Sequence, residues 1–393
     1  MTNKYLLKVW DFISSFQLTI ASLALLMVLV VLCTLAQVPL GTYGAVNMYM
    51  RSVLVWWGPE GSTWIIPVFP GGTLVGLTLT VNLLASTVKR LQFSWAKAGL
   101  WLVHLGLILL VSGEFVSAAL QVDDRMAIEQ GQTVNFVESY RATELVLVDV
   151  TDPTFDEVFA VPTTLLEKKS TVNLPGSPIT LNVKRFFPNA ELADRGPMEP
   201  PSIATAGVGP NVKIEERAIT SNENELNNTS VFVEPVVAGR SYGIWLVSIA
   251  LGAPQSFIHE GHNYVMSIRP TRHYLPYALT LKKFSHDKYP GTDIPKNFSS
   301  LVQISNPTKG EARDVLIYMN QPLRYEGRTF YQASFGKGDM LSILQVVENP
   351  GWLIPYISCV LVAVGLIVHF TVSLMKSSRK REAARLAQSA QEA

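Results

Sequence analysis

Four stretches of the chain, residues 12 to 50, 61 to 88, 98 to 113 and 349 to 375, contain no Asp, Glu, Lys or Arg. A helix rises 1.5 Å per residue, so about 20 apolar residues cross a hydrocarbon layer of roughly 30 Å. Trimmed at polar and turn residues, the runs predict transmembrane helices over 16–38, 70–88, 98–120 and 352–375, the third of which includes Glu114. Only 16% of the residues are charged, against about 25% in an ordinary soluble domain. Lipid-facing segments produce that deficit. A cleaved signal peptide would carry an apolar core of about 7 to 15 residues, and "LTIASLALLMVLVVLCTLA" is longer, so the first helix is expected to be retained.

Orientation follows from cations, because short loops rich in Lys and Arg stay in the cytoplasm. Lys4 and Lys8 precede helix one, Lys89, Arg90 and Lys97 separate helices two and three, and Lys376, Arg379, Lys380, Arg381 and Arg385 follow helix four. Four crossings put all three sets on one side. The expected protein is therefore a multi-pass protein of a bacterial cytoplasmic membrane with a cytoplasmic N-terminus (1–15) and tail (376–393), an inner loop (89–97), and an outer loop (39–69) carrying only Arg51 and Glu60. Within that outer loop, "AVNMYMRSVLVWWG" before "GPEG" suits an amphipathic segment at the interface, where Trp56 and Trp57 are favoured. A packed loop is the alternative. The net charge is only +1, which gives nucleic-acid binding no electrostatic footing.

Residues 121–351 change periodicity to short alternating stretches. "TELVLVDV", "PITLNVKRF", "NVKIEERA", "SVFVEPVV", "YGIWLVSIAL", "VLIYMN" and "MLSILQVVE" read as strands, separated by turn signals such as "LPGSP", "EGHN", "YPGTD" and "NPTKGEA". The fold class expected is four transmembrane helices with a large external, β-sandwich-like domain between helices three and four. Residues 190 to 230, rich in Pro, Gly, Asn and Glu, suggest a long loop or a poorly ordered insertion. Asp123, Asp124 and Arg125 are expected as solvated charge where the domain opens.

Cys33 and Cys359 are the two cysteines, both inside predicted helices. Each suits a small buried apolar residue; both lie toward the outer ends of their helices, which leaves a pairing open. The external domain, with none, has no disulfide, no CxxC redox pair and no CxxCH haem-attachment site.

Six histidines remain to be placed. His259, His262, His273 and His286 are external. "HEGH" invites a metal reading, but residues three apart on a strand point to opposite faces, which favours a strand or turn surface instead. His104 and His369 fall inside predicted spans, where an ionisable side chain is costly and marks function by default. His104 lies seven residues after Lys97 and His369 seven residues before Lys376, so each is about 10 Å from the inner boundary. Two neutral imidazoles at one depth in a bundle can fill both axial positions of a haem iron. Gly99, Gly106 and Gly113 recur every seven residues as a stripe for close helix contact. His104, two residues before Gly106, points about 200° away from it, while Ser358, Gly365, His369 and Ser373 share roughly one face of helix four. Interhelical hydrogen bonding is the bland alternative for both histidines. No nucleophile with a base partner, phosphate loop or carboxylate pair stands out, so no catalytic residue is assigned.

Several motifs resemble the ResB family, the membrane subunit of system II cytochrome c maturation. They are a Pro-Gly turn before a serine-bearing strand (Pro290, Gly291), an Asn-x-Pro-Leu turn (Asn320, Pro322, Leu323), a Gly-x-x-x-Tyr-Gln-x-Ser strand (Gly327, Tyr331, Gln332, Ser334) and Pro350-Gly351 before the last helix. "CTLAQ" and "HLGLILLVSGEF" are similar too. The resemblance implies haem delivery across the membrane and its covalent attachment to apocytochrome c together with a CcsA-type partner, the transmembrane histidines holding haem in transit. It implies a subunit that shares in, or stands outside, the catalysis of a holocytochrome c synthase complex. The chain lacks the Trp-rich WGxxWxWD-type motif of the partner, and without CxxC it would need a thioredoxin-like thiol reductant. Two other classes fit the residues: a b-type haem electron-transfer subunit, and a cofactor-free membrane scaffold with an external binding domain.

Overall fold

The structure is a computed structural model, and it describes residues 2–58, 65–90, 94–221, 227–291 and 295–392. The chain divides into two compact units, Met1–Val122 with Asn349–Ala393, and Asp123–Glu348.

Four helices of the first unit are long and apolar enough, among the described residues, to cross a membrane: the spans Phe16–Ala45, Gly72–Arg90, Ala98–Leu120 and Ile354–Glu392. Most of their large apolar side chains are exposed, as in Leu23, Val30, Leu84, Leu105 and Val364. That is the pattern of surfaces facing lipid, and the chain is a membrane protein. A short helix, Thr2–Ile13, precedes the first span, whose start is capped by Ser15 accepting from the Leu18 N–H at 3.2 Å. Asn82 of the second span is buried; its Nδ2 donates to the carbonyls of Ile13 at 2.6 Å and Ser15 at 2.9 Å, and its Oδ1 accepts from Thr19 at 2.6 Å. A polar side chain thereby ties the break between two helices to a third.

The segment expected as an outer loop is more ordered than its composition suggests. The first span runs on to Ala45 through Pro39 and a break at Gly41, whose φ of 68° suits glycine. A π-helical turn, Val46–Met50, then leads into the antiparallel strands Leu54–Trp57 and Ile66–Pro70. Val55 of that pair packs on Leu29 and Val75 of the first two spans. "AVNMYMRSVLVWWG" is thus a turn and a strand, and residues 59–64, including most of "GPEG", lie outside the described residues. The fourth span continues as helix through the basic tail to Glu392. Cys33 is buried and Cys359 exposed, and both are free.

The second unit is antiparallel β structure with two large cores. Ten strands form one sheet and five another. All seven stretches with alternating sequence lie wholly or partly on strands. One core, including Met126, Val137, Tyr277, Leu279, Ile304, Phe330 and Val346, is built entirely from strands of the ten-stranded sheet, which therefore folds upon itself to bury it. The other joins Leu145, Leu147 and Met266 of that sheet to Leu181, Val231 and Val247 of the five-stranded one. Two long strands, Thr133–Asp149 and His262–Lys288, pass through both cores. A simple two-layer arrangement does not describe this.

Residues 190–230 correct an expectation. They contain an antiparallel pair, Ala190–Asp194 with Val212–Glu216, registered from Ala190 opposite Glu216 to Asp194 opposite Val212. Leu192, Val212 and Ile214 pack against a small core of Phe187, Phe232 and Leu246. Such short alternation is masked by the Pro, Gly and Asn of the connecting loop. Residues 222–226 of that stretch, and Thr292 and Asp293 of "YPGTD", lie outside the described residues.

Candidate functional site in the membrane unit

The third and fourth spans meet along glycine. A β-carbon at Gly99 would stand 2.5 Å from the His369 nitrogen and 2.6 Å from the Gly365 carbonyl oxygen. One at Gly106 would stand 2.7 Å from Val362 Cγ2 and 2.9 Å from the Ser358 oxygen, and one at Gly113 2.4 Å from Ile354 Cγ2. Gly365 reciprocates: its β-carbon would meet the Gly99 oxygen and the Val103 nitrogen, each at 2.8 Å. Heptad-spaced glycines thus bring two backbones together, the small-residue contact that replaces hydrophobic driving force in lipid. Near the start of the fourth span, Asn349 Nδ2 donates to Ser117 Oγ and Gln121 Oε1, both at 3.2 Å, while its Oδ1 accepts from the Gly351 N–H at 2.8 Å. Pro350-Gly351 therefore follows a side chain that fastens the two spans.

This contact sets the register of the two membrane histidines. Gly99 lies against Gly365 and His369, and Gly106 against Ser358 and Val362. His104 is therefore level with about Val362, and the two histidine Cα atoms are offset by about seven residues, roughly 10 Å along the axes. Side chains lean toward the N-terminus of their helix, which brings antiparallel rings nearer in depth. Their faces differ, however. His369 sits at the glycine contact by its backbone, with its ring edge-on to Phe370 at 5.6 Å. His104 is on the far side of the third span, the side from which Phe115, eleven residues on, contacts Gly76 of the second span (3.2 Å to a β-carbon there). Counting from flanking lysines gave equal depths because a cation marks a boundary only to within a turn or two, whereas backbone contact fixes register.

The His104 ring has a defined tautomer. Its Nδ1 lies 2.8 Å from the Leu100 carbonyl oxygen, and a carbonyl can only accept, so Nδ1 carries the proton. That leaves Nε2 as the ring nitrogen with no partner among the described residues, and an imidazole whose other nitrogen is held by a carbonyl is the arrangement seen in metal-bound histidines. A haem iron suits such a donor. Ser358 Oγ, by contrast, donates within its own helix to Ile354 at 2.8 Å.

The histidines of the β-rich unit are engaged in pairs. Glu260 and Gly261, with φ of 49° and 87°, make a two-residue hairpin turn that sets His259 directly opposite His262. The turn, unlike a continuous strand, therefore places these two as neighbours. His259 pairs with the Tyr242 hydroxyl, and His262 Nδ1 donates to Asp149 Oδ2 at 2.6 Å. Burial acts to raise the Asp149 pKa, but hydrogen bonds from Thr151 and His262 outweigh it and hold the carboxyl below its ordinary value. No group of three or more metal-ligating side chains occurs among the described residues. His273 donates to Asp124 at 3.1 Å. Asp124 is buried, so it is not the solvated charge expected; its partner lies far along the chain. His286 donates from Nδ1 to Asp339 at 3.2 Å, with its ring 4.9 Å from Phe298 and 4.5 Å from Phe335.

Several motif residues of the β-rich unit hold its strands and turns together. Buried Ser300 donates to Gln332 Oε1 at 2.6 Å and bonds Ser342 Oγ at 2.7 Å, while Gln332 Nε2 donates to the Ser334 carbonyl at 3.1 Å. Leu323 lies in the core, and Gly327 takes a φ of 78° after Glu326 at 47°. Pairing of polar groups across strands carried no signal in the sequence.

Residues 247–343 match the profile of the ResB-like family. Among curated proteins, Protein NrfI of Wolinella succinogenes is 33% identical over 93 residues, which are 24% of this chain and 10% of that protein. The match thus spans about a tenth of the relative's length. The resemblance read from Pro290-Gly291 to Ser334 is borne out over this segment.

Proposed function

We propose that the protein is a haem-handling subunit of cytochrome c biogenesis, which delivers haem across the cytoplasmic membrane for attachment to apocytochrome c together with a CcsA-type membrane protein. The observation that carries this reading is His104: an imidazole within a membrane span, its Nδ1–H committed to Leu100 and its Nε2 unencumbered, on the face opposite the glycine contact. Haem is the cargo here. His104 and His369 each supply one axial nitrogen. Because they occupy different faces, the other axial position at each comes from the partner, which lies against the bundle. Family likeness over 247–343 supports the process, and four apolar helices support the setting.

In this arrangement the chain orients and shields the iron and does no bond chemistry itself. Thioether formation needs reduced CxxCH thiols on the apocytochrome; with no CxxC of its own, the chain relies on a thioredoxin-like reductant. Both termini are cytoplasmic in this reading and the Asp123–Glu348 unit is periplasmic, since Lys and Arg cluster at the three segments assigned to the inside.

The test combines absorption spectra of the purified protein, with and without a co-expressed partner, with holocytochrome c yield in His104→Ala and His369→Ala. Loss of haem and of yield in either variant is expected. Stoichiometric haem that survives without the partner and outlasts turnover would point to a b-type electron carrier instead, and normal maturation in both variants would remove the assignment.

A further inference from the structure

The helix Thr2–Ile13 is held at its end and bare along its length. Every residue from Lys4 to Phe12 is exposed, Tyr5 by 73% and Phe12 by 64%. The contacts that hold it come at its C-terminal end, where Asp11 pairs with Lys89 and the Ile13 carbonyl accepts from Asn82, both on the second span. Buried Ser14 closes the last turn by donating from Oγ to the Trp10 carbonyl at 2.7 Å. Ser15 then leaves helical backbone, with φ −78° and ψ 146°, so the first span starts afresh at Phe16.

The bare helix is two-faced. At 100° per residue Lys4, Lys8 and Asp11 fall within about 60° of one another, and apolar side chains fill the rest, from Phe12 through Val9 and Leu6 to Leu7, an arc of about 220°. Isolated helices shorter than about 12–15 residues are marginal in water, and one with so broad an apolar arc needs a surface to cover it. The helix joins directly to a span whose apolar side chains face lipid, so the surface within its reach is the boundary between headgroups and acyl chains. An amphipathic helix lies there with its apolar face sunk about 5–10 Å, and Tyr5 and Trp10 suit that depth. The charge fits as well. Asp11 is neutralised by Lys89, whereas Lys4 and Lys8, one turn apart on the polar edge, have no acidic partner among the described residues, which leaves two cations for acidic headgroups.

We infer that Thr2–Ile13 is an interfacial anchor, lying in the plane of the membrane face from which the first span enters, with its apolar arc among acyl chains and Lys4 and Lys8 on acidic phospholipid headgroups. Because Asp11 and Ile13 are tied to Lys89 and Asn82, the anchor fixes the depth of the second span together with the first. It does not depend on haem at His104 or His369.

The test uses full-length protein with Cys33 and Cys359 replaced and a single cysteine introduced by Leu6→Cys, Val9→Cys or Lys8→Cys. Each variant is spin-labelled and placed in nanodiscs of phosphatidylcholine with or without phosphatidylglycerol, and collision of the label with oxygen is compared with collision with a neutral, water-soluble nickel chelate. Oxygen should dominate at positions 6 and 9 and the chelate at position 8. Phosphatidylglycerol should raise the oxygen preference at position 6, and Lys4→Gln with Lys8→Gln should abolish that rise, each lysine being worth about fivefold in affinity for an acidic surface. Equal chelate access at all three positions describes a helix in water, and exclusion of both reagents at positions 6 and 9 describes a face covered by a second copy or another protein; either result overturns the anchor. A rise that persists without the two lysines overturns the headgroup contact. Should replacing Cys33 disturb the spans, Cys359 alone is replaced, since buried Cys33 is shielded from the label.

Discussion

His104 is the residue on which most depends, and its presence in a charge-free span was visible in the sequence because imidazole is costly in lipid. What could not be seen was the ring's partner: the Leu100 carbonyl is an ordinary backbone group, yet it occupies Nδ1 and leaves Nε2 as the nitrogen that the proposal uses. Charged residues of the β-rich unit were less legible still, since their partners are strands away. Glu234 shows the consequence. The Lys184 ammonium at 2.8 Å, with Ser241 and Asn182, holds its carboxyl at about 2, well below the ordinary 4.5. A depressed folded-state value contributes stability above the unfolded pKa, lost as pH falls toward about 2. Glu234→Gln should therefore destabilise the protein near neutral pH by on the order of 1 kcal/mol, given the half-exposed lysine, and the gap from wild type should shrink between pH 4.5 and 2 in unfolding measurements. A gap constant across that window would contradict the pairing. Ser300→Ala leaves buried Ser342 and half-buried Gln332 with fewer partners, and should cost about 1–3 kcal/mol in the same assay.

At the scale of elements, helices and strands were legible for different reasons. Spans announce themselves by unbroken apolar length, and the alternating stretches by their period of two. The glycine heptad disclosed a contact face but not its partner; the structure supplies Ser358, Val362, Gly365 and His369. Gly106→Leu should therefore separate the third and fourth spans, because even a β-carbon lies 2.9 Å from the Ser358 backbone oxygen, which cannot swing aside. A loss of more than about 2 kcal/mol, read as early thermal inactivation in detergent, is expected, whereas Gly131→Ala on a turn with open space should cost far less despite its φ of 87°. The "EGHN" turn and the strand in "NVKIEERA" were visible, but the facing of His259 and His262 across that turn and the partner strand Ala190–Asp194 were not, because a tight turn reverses facing and a short strand leaves little periodicity.

For the whole molecule, the sequence yields a membrane protein with a β-rich unit, and cation placement adds a proposed orientation. A cysteine introduced at Gly310, an exposed turn of the β-rich unit with φ of 62°, should react with a membrane-impermeant maleimide in intact cells, while one at Arg385 should react only after lysis, in a background with Cys33 and Cys359 replaced. The reverse pattern would invert the topology and with it the side on which haem is delivered. Haem in the membrane unit is the claim from which the functional reading follows. Its most direct measurement is the absorption spectrum of the full-length protein purified with its CcsA-type partner, in wild type and His104→Ala, before and after adding imidazole. The expected result is a Soret band in wild type, its loss in the variant and its return with imidazole, since free imidazole can replace the missing Nε2 donor. An undiminished band in His104→Ala would contradict it.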